Sequence, residues 1–190
     1  MGSEYRLTLV TGGARSGKSR FGENLISNHG DRILYVATAA VLDEEMQTRV
    51  KKHRSDRPND WITLEAYRDF DRCLPTYYNS VEGIFVDCLT LMVTRLMMDG
   101  WQFDWEHIPQ EKLLEIEESI NIEMDKLVHG LSSLKVPSVL ITNETGCGIV
   151  PENRMAREFR DISGRVNQRI ANYAHEVYWV VSGIPVKIKP

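Results

Sequence analysis

Apolar positions along this chain follow two rhythms. Five runs are nearly continuous: Tyr5–Thr11, Arg32–Thr38, Gly83–Asp87, Pro137–Thr142 and Glu176–Ser182. They are rich in Val, Ile, Leu and Tyr and do not strictly alternate, which predicts strands of a parallel sheet buried on both faces. Between them the apolar residues recur every three or four positions. Ser19–His29 predicts a helix after the first run, and Asp43–Ser55 a second with Asp43 as its cap. Leu113, Ile116, Ile120, Met124, Leu127 and Leu131 mark a long amphipathic helix; Met155, Phe159, Ile162, Val166, Ile170 and Tyr173 mark another. Strands alternating with helices predict one doubly wound α/β domain over residues 1–190, with its ligand at the carboxyl ends of the strands. The stretch Asp99–Gln110 carries three bulky aromatics and reads as a loop or short insertion.

Composition narrows the partners. With 190 residues, 42% hydrophobic and 26% charged, the chain can bury a core without disulfides. A net charge of −4 argues against broad binding to nucleic acid or membrane surfaces, so an anionic substrate must be held by local basic residues. Cys73, Cys88 and Cys147 are odd in number, widely spaced and form no C-x-x-C pair. That suits a reducing cytoplasm better than a disulfide framework or a zinc site. No signal peptide and no run of about 18 apolar residues stands in the sequence.

The candidate chemistry begins where the first strand ends. Gly12-Gly13-Ala14-Arg15-Ser16-Gly17-Lys18-Ser19 matches G-x-x-x-x-G-K-[ST] between a strand and a helix. Its glycines let backbone N–H groups turn inward on phosphate oxygens, and the helix N-terminus adds partial positive charge. Lys18 is expected to reach the β and γ phosphates and Ser19 to ligate Mg²⁺, in a P-loop NTPase-like fold. Ile84-Phe85-Val86-Asp87 is an apolar strand ending in an acid, where a P-loop protein brings a carboxylate to the Mg²⁺ shell; a plain Asp turn is the alternative. Glu144, in Thr142-Asn143-Glu144-Thr145-Gly146, either positions a nucleophile or is a solvated turn carboxylate. It stands where the guanine-reading N-K-x-D motif would carry Lys.

Arg49, His53 and Arg57 are spaced i, i+4, i+8, on one face of a helix that frays toward Pro58. Two guanidiniums beside an imidazole suit a polyphosphate and disfavour a third positive charge, keeping the imidazole neutral and nucleophilic. Arg49, Lys51, Lys52, His53, Arg54 and Arg57 read equally as a solvated basic face. The other histidines, His29, His107, His129 and His175, have no such setting.

Beyond the P-loop, the chain carries Tyr35-Val36-Ala37-Thr38-Ala39, Met46-x-x-Arg49-x-x-x-His53-x-x-x-Arg57, Trp61-x-Thr63-x-Glu65 and Val86-Asp87-Cys88-Leu89-Thr90. Further on come Thr142-Asn143-Glu144-Thr145-Gly146, Gly148-Ile149-Val150-Pro151-Glu152-Asn153, Phe159-Arg160-Asp161, Gly164-Arg165-Val166-Asn167-Gln168 and Val181-Ser182-Gly183-Ile184-Pro185. Together, essentially end to end, these resemble the bacterial adenosylcobinamide kinase / adenosylcobinamide-phosphate guanylyltransferase family. The resemblance implies two reactions of cobalamin nucleotide-loop assembly. One phosphorylates the aminopropanol hydroxyl of adenosylcobinamide with GTP or ATP. The other transfers GMP from GTP to adenosylcobinamide phosphate through a guanylylated histidine, releasing pyrophosphate. It implies His53 as that nucleophile. It implies GTP contacts at Gly12 to Ser19, at Ala37, Thr38 and Ala39, at Arg54, Ser55, Asp56 and Arg57, and at Glu65 and Asp87. It also implies a homotrimer, with Pro151–Tyr173 and its arginines as an interface element or, equally, a solvated face. Two departures stand out: some members carry Glu at the position of Asp87, and Cys147 places a thiol in a glycine-rich loop. A single-activity P-loop kinase, in which His53 only binds phosphate, and a nucleotide-dependent switch are the competing readings.

Overall fold

The structure, a computed structural model, describes residues 5–39, 60–100 and 103–190. Each of the five apolar runs contains a strand: β1 (Leu7–Gly12), β2 (Ile33–Ala37), β4 (Gly83–Asp87), β5 (Ser138–Asn143) and β6 (Glu176–Val181). Two others join them, β3 (Ile62–Glu65) and β7 (Ile184–Lys189). The sheet runs β3-β2-β4-β5-β1-β6-β7, parallel throughout except for the antiparallel β6–β7 pair.

The near-continuous apolar character of the central strands follows from burial on both faces. Leu7, Leu9, Leu34, Val36, Ile84, Val86 and Leu140 point into one core. Their alternating neighbours Val10, Ile33, Tyr35, Phe85, Val139 and Ile141 point into another. Helix α1 (Lys18–Ser27) covers the second core with Ile26. Helix α2 (Phe70–Cys73) leads into a 3₁₀ turn at Leu74–Tyr77. With α3 (Leu89–Met98), α4 (Gln110–Leu134) and α5 (Arg154–Tyr173), α2 covers the first core.

The pattern missed the short α2 and its 3₁₀ turn, and three longer elements for which there is a physical reason. β3 and β7 lie at the sheet edges, where residues are largely exposed and the apolar run is short. β7 also contains Pro185, tolerated only because an edge strand need not donate on both sides. α3 is apolar on most of its circumference (Leu89, Met92, Val93, Leu96 and Met97 are all buried), so no polar stripe sets its period. The Asp99–Gln110 stretch contains a 3₁₀ turn at Trp105–His107, and α4 begins at its last residue. The predicted helix Asp43–Ser55 lies outside the described residues. Helix α5 starts at Arg154, where the Asn153 side chain accepts from the Ala156 N–H at 2.8 Å. Its arginines are engaged within the chain: Arg165 with Glu117 and Arg169 with Asp125 tie α5 to α4, and Arg160 donates to the Gly146 carbonyl at 2.7 Å.

Candidate active site

Register brings the candidate groups to one edge of the sheet. Glu65 lies beside Ala37, Ala37 beside Asp87, and Asn143 beside Gly12, all at strand carboxyl ends. The Thr38 N–H donates to the Asp87 carbonyl and the Ala66 N–H to the Ala37 carbonyl, so the backbone stays paired as the chain leaves the strands. Ala39 follows, half-buried.

The P-loop is a turn closed on its own helix. The Ser16 N–H donates to the Gly13 carbonyl at 3.3 Å, and the Phe21 N–H to the Gly17 carbonyl at 3.0 Å. Gly17 sits at φ +91° before the first helical residue, and a Cβ there would stand 3.2 Å from Gly183 Cα. A Cβ on Gly12 would meet Ser16 Oγ and the Val180 carbonyl oxygen, each at 2.6 Å. Both glycines are therefore demanded by the fold of the loop. Lys18 is buried and donates from Nζ to the Gly13 carbonyl at 3.1 Å, spanning the loop. Burial pushes its pKa down, while the nearby Cys88 and Asp87 act the other way. Ala14 to Arg20 and Asn143 line a cavity of about 610 Å³. A helix N-terminus and a lysine at one cavity are suited to a polyphosphate.

Asp87 and Ser19 are the groups that could hold Mg²⁺. Tyr35 donates its hydroxyl to Asp87 Oδ2 at 2.7 Å, which orients the carboxylate. No cluster of three His, Cys, Asp or Glu stands among the described residues. Mg²⁺ in nucleotide enzymes takes one or two carboxylates and completes its shell with phosphate and water, so one acid and one hydroxyl fit it. A cis peptide bond joins Asp87 to Cys88. The buried Thr38 hydroxyl donates to the Cys88 carbonyl at 2.7 Å and accepts from the Cys88 N–H at 2.8 Å. Burial pushes the Cys88 thiol up to about 12, which removes it as a nucleophile at neutral pH.

Sequence reasoning missed the supports. The Asn143 N–H donates to Thr90 Oγ1 at 2.7 Å, Asn167 Nδ2 donates to the Asn143 carbonyl at 3.1 Å, and Thr142 donates to Asn167 Oδ1 at 2.7 Å. The Glu144 N–H donates to the Gly12 carbonyl at 3.1 Å, and the Gly183 N–H to the Ser16 carbonyl at 2.8 Å. The segments holding Thr142, Asn143, Asn167 and Gly183 carry the family resemblance, and that was the only signal for them. Arg49, His53, Arg54, Ser55, Asp56 and Arg57 lie outside the described residues. The structure thus gathers Gly12 to Ser19, Ala37 to Ala39, Glu65 and Asp87 along one sheet edge.

A mostly parallel sheet with a P-loop on one strand and an acid at the end of a nearby strand defines a P-loop nucleotide-binding domain of the phosphoryl-transfer class. A family model described as cobinamide kinase / cobinamide phosphate guanyltransferase matches residues 8–188. The bifunctional adenosylcobalamin biosynthesis protein CobU of Escherichia coli (strain K12) is 46% identical over 184 residues, covering 96% of this chain and 99% of that one. The protein of the same name from Salmonella typhimurium is 45% identical over 184 residues, with the same coverage. The bifunctional protein CobP of Pseudomonas aeruginosa is 34% identical over 181 residues, 95% of this chain and 96% of that one. The chain belongs to the cobinamide kinase / cobinamide phosphate guanyltransferase family. Among solved structures, the flagellar accessory protein FlaH of Methanocaldococcus jannaschii aligns with a TM-score of 0.47 at 13% identity, over 97% of this chain and 78% of that one.

Proposed function

We propose that this chain carries both reactions of its family on one P-loop. It phosphorylates the aminopropanol hydroxyl of adenosylcobinamide with GTP or ATP, then moves GMP from GTP to the resulting phosphate. The observation that carries the reading is the phosphate cavity lined by Lys18, which spans the loop to Gly13, with Asp87 at the end of β4 oriented by Tyr35 of the adjacent β2.

In the kinase step the substrate hydroxyl attacks the γ-phosphorus directly, so the protein's task is positioning and charge stabilisation. Lys18 and the loop N–H groups hold the phosphates. Ser19 and Asp87 would hold Mg²⁺, which supplies charge neutralisation between the phosphate oxygens when bound. In the guanylyl step the neutral imidazole of His53 attacks the α-phosphorus and expels pyrophosphate, giving a phosphoramidate that the corrinoid phosphate then attacks. Arg49 and Arg57, one helical turn to either side in spacing, keep the imidazole neutral. Arg54, Ser55, Asp56, Arg57 and Glu65 supply nucleotide contacts, as do Ala37 to Ala39, the first of which lies beside Glu65. The buried Cys88 offers no competing nucleophile. We place the enzyme in the cytoplasm, where three free cysteines suit a reducing environment, and expect it to assemble as a homotrimer. No helix among the described residues is long and apolar enough to cross a membrane.

Incubation with α-labelled GTP and Mg²⁺ tests this directly. The expected result is an acid-labile, base-stable label on the wild type and none on His53→Ala, which keeps measurable phosphorylation of the corrinoid hydroxyl. An acid-labile GMP label surviving in His53→Ala would place the nucleophile elsewhere.

A further inference from the structure

Two cavities share the P-loop as a wall. The phosphate cavity is lined by Ala14 to Arg20 and Asn143. A second hollow of about 310 Å³ shares Ala14, Arg15 and Ser16 with it and adds Gly13, Glu144, Cys147 and the stretch from Trp179 to Ser182. The chain divides them between consecutive residues at the end of β5, with Asn143 in the first and Glu144 in the second. The Glu144 N–H bond to Gly12 and the Gly183 N–H bond to Ser16 pin both sides of the second hollow to the loop.

Lys18 tells which end of a nucleotide faces the second hollow. A P-loop lysine grips the β and γ phosphates. Its Nζ is bonded to the Gly13 carbonyl, so the terminal-phosphate end lies toward Gly13, a wall of the second cavity and not of the first. Ser16 lines both. It is 8% exposed, and its Oγ has no hydrogen-bond partner among the described residues, leaving a polar group for an oxygen at the boundary. At the rim, Trp179 is 42% exposed on β6, and Val181 lies exposed two residues on, with a Glu144 oxygen anchored by the Gly146 N–H at 2.9 Å.

Cobinamide is a broad macrocycle edged with amides and carrying one hydroxyl-ended arm. About 310 Å³ is the lower limit of small-molecule sites, room for the arm but not for the ring. We propose that this second cavity is the acceptor subsite of the kinase step: the arm enters between Arg15 and Glu144, and the ring rests on the indole of Trp179 and on Val181. The proposal rests on the phosphoryl-transfer reading given above. The hydroxyl oxygen forms a bond to the γ-phosphorus, the bond from that phosphorus to the β,γ-bridging oxygen breaks, and the nucleoside diphosphate leaves with the electron pair. The hydroxyl proton passes to the Glu144 carboxylate, which accepts its hydrogen bond beforehand.

Steady-state kinetics of corrinoid phosphorylation, with acceptor and nucleotide varied separately, test it in wild type, Trp179→Ala, Trp179→Phe and Glu144→Gln. Trp179→Ala is expected to raise the acceptor KM at least tenfold with the nucleotide KM held within twofold, and Trp179→Phe to recover most of the loss. Glu144→Gln is expected to lower kcat with little change in either KM. Cobinamide added to the unliganded wild type should quench tryptophan fluorescence, and Trp179→Phe should lose the largest part of that quenching. An unchanged acceptor KM in Trp179→Ala overturns the proposal. So does a rise in nucleotide KM alone, which would make the hollow a base pocket. If the wild type itself transfers no phosphate to the corrinoid, the phosphoryl-transfer reading fails instead.

Discussion

At the residue scale, Lys18 is the group on which both proposed reactions depend. Its Nζ is held against the Gly13 carbonyl across the loop, and its ammonium is partly desolvated. A charge fixed in a poorly solvated site interacts strongly with phosphate oxygens and needs no reorganisation when they arrive. Lys18→Ala is expected to lower both activities by at least ~100-fold. The circular dichroism spectrum should keep its wild-type form, because the side chain faces the ligand and not a core. Turnover within tenfold of wild type would remove Lys18 from the mechanism. Lys18, Ser19 and Asp87 were legible in the sequence because a local string or a strand end announces them. The supporting bonds of Tyr35, Thr38 and Asn167 were not, since each reaches a residue at least 24 positions away, and only the fold makes them.

At the element scale, the β6–β7 pair shows why edges escape a sequence reading and how they are held. Glu176, buried at the start of β6, accepts from Lys187 of β7 at 2.6 Å and pairs with Arg6. The Lys187 hydrogen bond, opposed by burial and reinforced by the charges of Arg6 and Lys187, keeps its carboxyl below the usual carboxylate range. The folded protein thus holds this proton less tightly than the unfolded chain. The stabilisation is full above the unfolded value near 4.5 and is lost as pH falls through the lower folded value. Thermal melts of Glu176→Gln should therefore be less stable than wild type at neutral pH and converge with it as the medium is acidified. A constant difference across that range would assign the acid sensitivity to other groups. Asn153 gives a second case. Its side chain satisfies the Ala156 N–H at the first turn of α5, and Asn153→Ala is expected to lower stability by about 1 kcal/mol. The melting temperature should fall by roughly 2–4 °C, and a shift under half a degree would show the cap to be dispensable.

At the scale of the whole molecule, the doubly wound architecture and the position of its ligand edge were readable because burial on both faces leaves unbroken apolar strands. The edge strands and the apolar α3 were not, because exposure on one side or burial all round removes the period. An apolar hollow of about 350 Å³, lined by Thr94, Met97, Met155, Ala156 and Phe159 where α3 meets the start of α5, lies beside the exposed Met98. In the proposed trimer this hollow is the apolar surface that the first turns of α5 would offer to a neighbouring subunit. Sedimentation equilibrium at micromolar concentration should give three times the 21.8 kDa chain mass. A single-chain mass at that concentration would remove the trimer.

The P-loop strand lies between β5 and β6, and the loop itself is latched by Gly183. Its neighbours are thus encoded more than 120 residues after it. While the protein is being made, β1 leaves the ribosome long before either of its pairing strands. At about 5–20 residues per second, the latch follows Gly17 by roughly 8–33 s. Nucleotide cannot act as an early template for folding this chain. A nascent chain arrested before residue 183 should remain blind to GTP, however complete its P-loop string, and competence should appear only after Gly183 has emerged.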